Sequence, residues 1–375
     1  MAATDHDSSA AGPGFAGPDR YGPDRSGPDS ARAAPDPAGG PALRIQDPGE
    51  LIAALPALIG FHPAESLVLI ATGGRSGRRI GLTVRVDLPQ PEQAGAVVAD
   101  AVQGLLLDDP AGAAVVVLGA GSAGSEGDGG PPHAALAAAT TAVLLRHDVA
   151  VHTLVWAART AAGAPWACYD ACRCRGVVPD PASSALAAAV VAGGQVIHRD
   201  REALHRLVEP ADPGRIRRRE GLLVRRLEEQ AAERDSAQAV VAGLATVRAA
   251  IADCAAGRLR VDDRTVVELA CALSDRDVRD AALLHNIGPD PAAAEQLWTA
   301  LVRETPDPEA AAPASLLAVS ALLRGDGALA NVALDRAEQA WPGHRLTRLL
   351  RAAADAGMRP AQVRAWLAGS GPVSG

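Results

Sequence analysis

The chain has 375 residues, of which 48% are hydrophobic but only 2% aromatic, and a formal net charge of −8. That length exceeds one average domain and allows a sizeable core. The acidic balance argues against a general binder of nucleic acid or anionic membranes, because phosphate neutralisation supplies most non-specific affinity.

All 36 basic residues are arginine, and the 38 glycines and 28 prolines fit a GC-rich coding bias rather than a functional choice of Arg over Lys. The first ten residues hold Asp5 and Asp7 and no apolar run, so no secretory signal is expected. The longest uncharged Ala/Val run, Pro181 to Ile197, is interrupted by serines, Gln195 and a Gly pair, so no membrane span is expected. Five cysteines, an odd number, fit a reducing, cytoplasmic setting.

Residues 1–42 read as a disordered tail. Gly-Pro-Asp recurs at Gly17, Gly22 and Gly27, a composition too poor in apolar side chains to offset chain entropy. From Leu43 the composition changes. Asp47-Pro48-Gly49-Glu50 has the N-cap, the first-turn proline and the N3 acid of a helix start. Leu51, Ile52, Leu55, Leu58 and Ile59 share one face of that helix. Pro56 lacks a donor, so a kink or break is expected there.

Ser66 to Thr72 is a continuous apolar run, predicted to be a buried strand. A turn at Gly73 to Gly77 leads into a period-2 strand, Ile80 to Val86. That hairpin places Thr83, Arg85 and Asp87 together on the face opposite the core. A helix is predicted over 91–107, a strand over 113–118, a helix over 132–146 and a strand over 149–157. A turn at Gly163 follows, then a short strand over 166–169, a helix over 183–192 and a further strand at 195–197.

From Arg201 every segment reads as helix, seven or eight in all, broken at Pro210 to Gly214, Gly257, Gly288-Pro289, Pro306 to Pro308, Gly325 to Gly327, Pro342-Gly343 and Gly357 to Pro360. Pro313 to Pro342 has the size of a tetratricopeptide unit, with Ala318, Ala330 and Ala337 where two helices must approach closely. The fold class expected is thus a mixed-sheet α/β layered domain over 43–210, followed by an all-α helical domain over 211–375 with a tetratricopeptide-like helix pair.

Gly119-Ala120-Gly121-Ser122-Ala123-Gly124 matches G-x-G-x-x-G after a strand. Two acids and Pro131-Pro132 separate it from the next helix, so it reads as a loop and no cofactor site is assigned. Cys168, Cys172 and Cys174 are the candidate metal ligands, with His152 or His198 as a fourth. The plainer reading is buried cysteine, and a redox role is a third, with Arg173 and Arg175 lowering the thiol pKa. His62, Glu65, Arg85 and Asp87 are the candidate catalytic residues, at a strand end. Against that reading, no G-x-S-x-G elbow accompanies His62 and Ser66, which flank a proline turn, and Arg85 and Asp87 pair readily with each other. Arg215 to Arg226 looks basic, but interleaved Glu220, Glu228 and Glu229 make it a solvated, salt-bridged helix.

At Gly60-Phe61-His62-Pro63-Ala64-Glu65-Ser66-Leu67-Val68 and Arg85-Val86-Asp87-Leu88-Pro89 the chain resembles an actinobacterial family known only as a domain of unknown function (number 4192). The resemblance continues through Cys168-Tyr169-Asp170-Ala171-Cys172-Arg173-Cys174, Ser183 to Gly194, and Gly325-Asp326-Gly327 to Pro342. Where the family has adjacent cysteines this chain has Cys172-Arg173-Cys174. The family has no assigned activity, so the resemblance implies a host group and a cytoplasmic location, and no chemistry.

The leading functional expectation is a non-enzymatic binding module whose helical domain contacts a protein partner and whose α/β domain binds a partner or small ligand. The alternatives are an enzyme, for instance a hydrolase, at His62, Glu65, Arg85 and Asp87, and a metal or redox module at Cys168, Cys172 and Cys174.

Overall fold

The structure, a computed structural model, describes residues 47–73, 79–121, 130–192, 195–232 and 236–369. The first helix, α1 (Pro48–Ile59), begins as its sequence dictates: the Asp47 carboxylate accepts the Glu50 N–H at 2.9 Å. It ends at Gly60, whose φ of 90° suits a residue without Cβ and whose N–H donates to Pro56 O at 2.8 Å. The break expected at Pro56 does not occur. Pro56 lies one turn from the end, so only one helical bond is lost, and the continuous buried face from Leu51 to Ala57 holds the axis.

Six strands follow: β1 (Ser66–Gly73), β2 (Arg79–Asp87), β3 (Gly112–Leu118), β4 (Ala150–Ala157), β5 (Pro165–Cys168) and β6 (Arg175–Val177). They form one sheet in the order β2-β1-β3-β4-β5-β6, with β3 and β4 parallel and every other pair antiparallel. Between strands lie α2 (Ala94–Leu106) and α3 (Ala134–Arg146), and after them a short 3-10 turn and α4 (Ala185–Ala192). The turn residues 74–78 and the glycine loop 122–129 lie outside the described residues. Residues 195–197 form no strand; instead His198 makes an isolated bridge to Phe61.

The sheet is covered on both faces, which is why β1 is apolar from Leu67 to Ala71 and β3 throughout. Leu67, Leu69, Val115 and Val117 face α2 and α3. Val68, Ile70, Val116, Leu118 and Val155 face Leu51, Ile52 and Leu55 of α1. The register pairs Ser66 with both Asp87 and Leu118, and Leu118 with Ala157. One edge of the sheet therefore gathers the start of β1 and the ends of β2, β3 and β4.

The rest is helical: α5 (Arg201–Val208), α6 (Pro213–Ala232), α7 (Ser236–Ala255), α8 (Asp263–Ser274), α9 (Arg276–Ala282), α10 (Pro291–Glu304), α11 (Ala311–Arg324), α12 (Gly327–Ala340), α13 (Arg345–Asp355) and α14 (Pro360–Gly369). Among the described residues there are ten rather than seven or eight, one of them because Asp275 starts a fresh helix by accepting the N–H groups of Asp277 and Val278. The pair α11–α12 buries Ala318, Ala330 and Ala337 completely or nearly so. By length and composition Ala237–Ala255 is apolar enough to cross a membrane, but its Val247, Ala250, Ile251 and Cys254 are buried in the helical core.

The basic helix α6 is not solvated throughout. Arg219 is 1% exposed and donates to Asp263 (2.9 Å), Val261 O (2.8 Å) and Glu304, joining α6 to α8 and α10. Arg218 donates to the other oxygen of Asp263 at 2.6 Å. These two guanidinium bonds hold the Asp263 carboxyl down at about 2.

Candidate functional site

The gathered sheet edge carries His62, Glu65, Arg85 and Asp87, but the fold sends them to three places. Phe61, just before them, leaves the sheet altogether and is buried in the core of the helical half. The backbone is tied down on both sides of it, by His62 N–H to His198 O (3.1 Å) and His198 N–H to Gly60 O (2.8 Å). His62 then turns its Nδ1 to Thr160 Oγ1 (3.2 Å) in the β4–β5 connection. Burial without a charged partner pushes its pKa below the ordinary imidazole value.

Arg85 and Asp87 do come together. Arg85 stands on the α1 face of β2, because its strand partner Val68 does. Its Nε donates to Ser66 Oγ at 2.8 Å, and that hydroxyl donates to Ala64 O at 2.6 Å. Its Nη2 lies 2.5 Å from Asp87, and its guanidinium carbon is 5.8 Å from the centre of the Phe61 ring. Burial lowers the Arg85 pKa and Asp87 opposes that shift. Asp87 also meets Arg201 of α5 at 3.6 Å. The face expected to lie opposite the core is thus turned toward the helical half.

Glu65 goes the other way. Its φ of 41° is left-handed, which is rare for a glutamate and bends the chain just before β1. Its carboxylate accepts the Ala120 N–H at 2.9 Å past the end of β3, while its carbonyl accepts the Leu88 N–H. The partner that sequence reasoning missed is His133, at the start of α3, whose φ is 62°. A Cβ built on Gly119 would lie 2.8 Å from His133 Nε2 and 3.3 Å from Glu65 Oε2, so both groups border one glycine. His133 Nε2 is buried and has no hydrogen-bond partner among the described residues. The Tyr169 hydroxyl donates to Pro132 O at 2.5 Å and so fixes the turn that carries His133. A carboxylate and an imidazole thus border one glycine, and no nucleophile accompanies them among the described residues.

The three cysteines converge on one side of a turn. After β5 the chain reverses in a tight turn into β6, a strand too short for its alternation to be read. The sulfurs of Cys168, Cys172 and Cys174 all lie within 4.8 Å of one another. Neither expected fourth ligand joins them: the His152 ring lies over Gly112 of β3, and His198 is bound into the Phe61 bridge. Arginine does not set the thiol chemistry either. Burial pushes Cys168 up to about 12, and Cys172 is lowered by hydrogen bonds from Cys174, whose own pKa is raised.

A cavity of about 1220 Å³ separates β2 from the helical half. Two ion pairs bracket it. Arg359, just before α14, donates to Asp108 at 2.9 Å; Arg201 meets Asp87 at the other end. Asp108 also accepts the Leu82 N–H at 2.9 Å, so the edge of β2 is occupied there. Past the register shift between Ile80 and Thr83, no backbone partner takes that edge among the described residues. The Leu88 N–H turns inward to Glu65, so by antiparallel alternation Val86 and Val84 also turn inward, and Thr83, Arg85 and Asp87 present their backbone groups to the cleft. Asn331 of α12 and Met358 stand among the residues opposite.

No curated protein and no solved structure matches the chain. A family profile does, across the sheet and nearly all of the helices: residues 48–361 match, and the chain belongs to the family described as Domain of unknown function (DUF4192).

Proposed function

We propose that this protein is a binding module whose cleft takes an extended segment of a partner polypeptide along the free edge of β2. The observation that carries this reading is the open backbone from Thr83 to Asp87, walled by helices and bracketed by the two ion pairs. An unpaired strand edge is a template for another strand, and main-chain bonds supply affinity in such complexes. The span from Leu82 to Asp87 is about 17 Å at the rise of an antiparallel strand, enough for about five extended residues. Arg85 and Arg201 on the floor favour an acidic side chain near the Asp87 end, and Leu107, which is 53% exposed, offers apolar contact at the other. The catalytic alternative draws less support, since its four residues face three directions and Arg85 and Asp87 are engaged with each other.

A random-peptide library selected against the full chain tests this, with Thr83→Pro as the comparison. Proline at 83 removes an outward N–H without touching the bonds to β1. Peptides enriched on the parent chain should bind Thr83→Pro at least about tenfold more weakly by fluorescence anisotropy, the cost of one or two such bonds. The variant's thermal unfolding should stay within a few degrees. Failure to enrich any peptide, or equal binding by both chains, would remove the reading.

A further inference from the structure

We propose that Cys168, Cys172 and Cys174 form a three-thiolate site for one thiophilic divalent cation of the Zn²⁺ class, with a fourth coordination position open to solvent. The three sulfurs already lie within 4.8 Å of one another. A tetrahedral centre with Zn–S bonds of about 2.3 Å sets its sulfurs about 3.8 Å apart, so closure needs small side-chain rotations and no backbone change. The turn is shaped for this convergence. Cys168 N–H donates to Cys174 O at 2.9 Å, and Arg173 N–H donates to Asp170 O at 3.0 Å. Arg173 has a φ of 50°, a left-handed step that brings the flanking cysteines to one side. The Cys174 N–H points at Cys172 Sγ from 3.4 Å, a donor of the kind that supports a metal-bound thiolate.

The ordinary fate of a free cysteine, burial as a small apolar side chain, accounts for Cys168, Cys254 and Cys271. It does not account for Cys172 and Cys174, which are exposed. Their position at the surface leaves one side of the centre to water. On binding, the three thiols release three protons, and the cation with three thiolates carries a net charge of −1. The exposed Arg173 and Arg175 flank that charge. Tyr169, between Cys168 and the turn, ties the same hairpin to Pro132, so an ordered turn also fixes the approach to α3.

The test uses the full chain prepared under reducing conditions, freed of metal and then of reductant. Zn²⁺ is titrated against a chromophoric chelator, Co²⁺ is used as a spectroscopic probe, and metal content is measured by mass spectrometry. The expected result is one Zn²⁺ per chain, a thiolate-to-Co²⁺ charge-transfer band, and protection of Cys172 and Cys174 from a thiol reagent. Cys172→Ser and Cys174→Ser alter exposed side chains, so they should keep the fold by circular dichroism while affinity falls by at least about 100-fold, more than loss of an outer-shell partner costs. Absence of stoichiometric metal would overturn the proposal. So would undiminished binding by the double variant, or a chain found two hydrogens lighter through a disulfide after metal loading.

Discussion

A methyl group on Gly119 would meet His133 Nε2 and Leu88 Cδ1 at 2.8 Å each, and Glu65 Oε2 at 3.3 Å. Gly119→Ala should therefore destabilise the protein by about 1–3 kcal/mol, the usual cost of an overpacked methyl, as a lower urea midpoint with an unchanged slope. The same three contacts show what was legible at the residue scale. Glu65 stood out because polar side chains crowd a strand start. Its direction did not, because that depends on a left-handed φ, and glutamate gives no sign of adopting one. His133 gave less still: it follows Pro131-Pro132 at a helix start, where a histidine rarely draws attention as a cap. Its role as neighbour of Glu65 arises only once β1 and β3 pair in register. Arg85 and Asp87 were easier, since period-2 alternation alone puts them on one face.

At the scale of elements, the strongest single tie is Arg219, which joins α6, α8 and α10 through Asp263, Val261 O and Glu304. Removing it leaves Asp263 to Arg218 alone, and the largely buried Glu304 carboxylate to Arg215 alone. Arg219→Ala should cost about 1–3 kcal/mol, the range for buried polar groups that lose a partner, read by chemical denaturation, whereas Arg217→Ala on the exposed side of the same helix should change stability little. Sequence spacing identified α6 as a charged helix and misjudged how much of it is solvated. Alternating Arg and Glu looks the same whether a given arginine faces water or a neighbouring carboxylate 44 positions away. The first helix and the apolar strands β1 and β3 were readable because local chemistry decides them: a cap, a proline, a run of β-branched residues. Pro56 was misleading for the opposite reason, since tertiary burial outweighed one missing hydrogen bond. The start of α9 was missed although Asp275 before Arg276-Asp277 is a cap signal.

Across the whole molecule, His62, His198, His285 and His344 all have pKa values pushed below the ordinary 6.5, chiefly by burial. His344, 5% exposed, pairs its Nδ1 with Thr347 at 2.8 Å and faces Arg279 at 3.4 Å. The unfolded chain takes up these protons near pH 6.5, while the folded chain resists until lower pH. Stability is therefore complete above about pH 7.5 and falls as the pH drops through 6.5 toward the folded values. Thermal unfolding measured between about pH 7.5 and about pH 5.5 should show this decline, and His344→Gln should flatten it. The division into a sheet half and a helical half was legible from periodicity, but their joint was not. Nothing in Gly60-Phe61 announces that the ring serves the helices, because its core mates, such as Leu204 and Leu329, are far along the chain. Gly60 itself lies 3.5 Å, measured from a Cβ built on it, from Asp326 at the head of α12. That distance in sequence has a consequence for biosynthesis. At about 5–20 residues per second, the ribosome makes Asp326 about 13–50 s after Gly60. Throughout that interval the nascent sheet carries an uncovered phenylalanine and an unwalled strand edge, so a chain stalled before α12 is the form most in need of a chaperone.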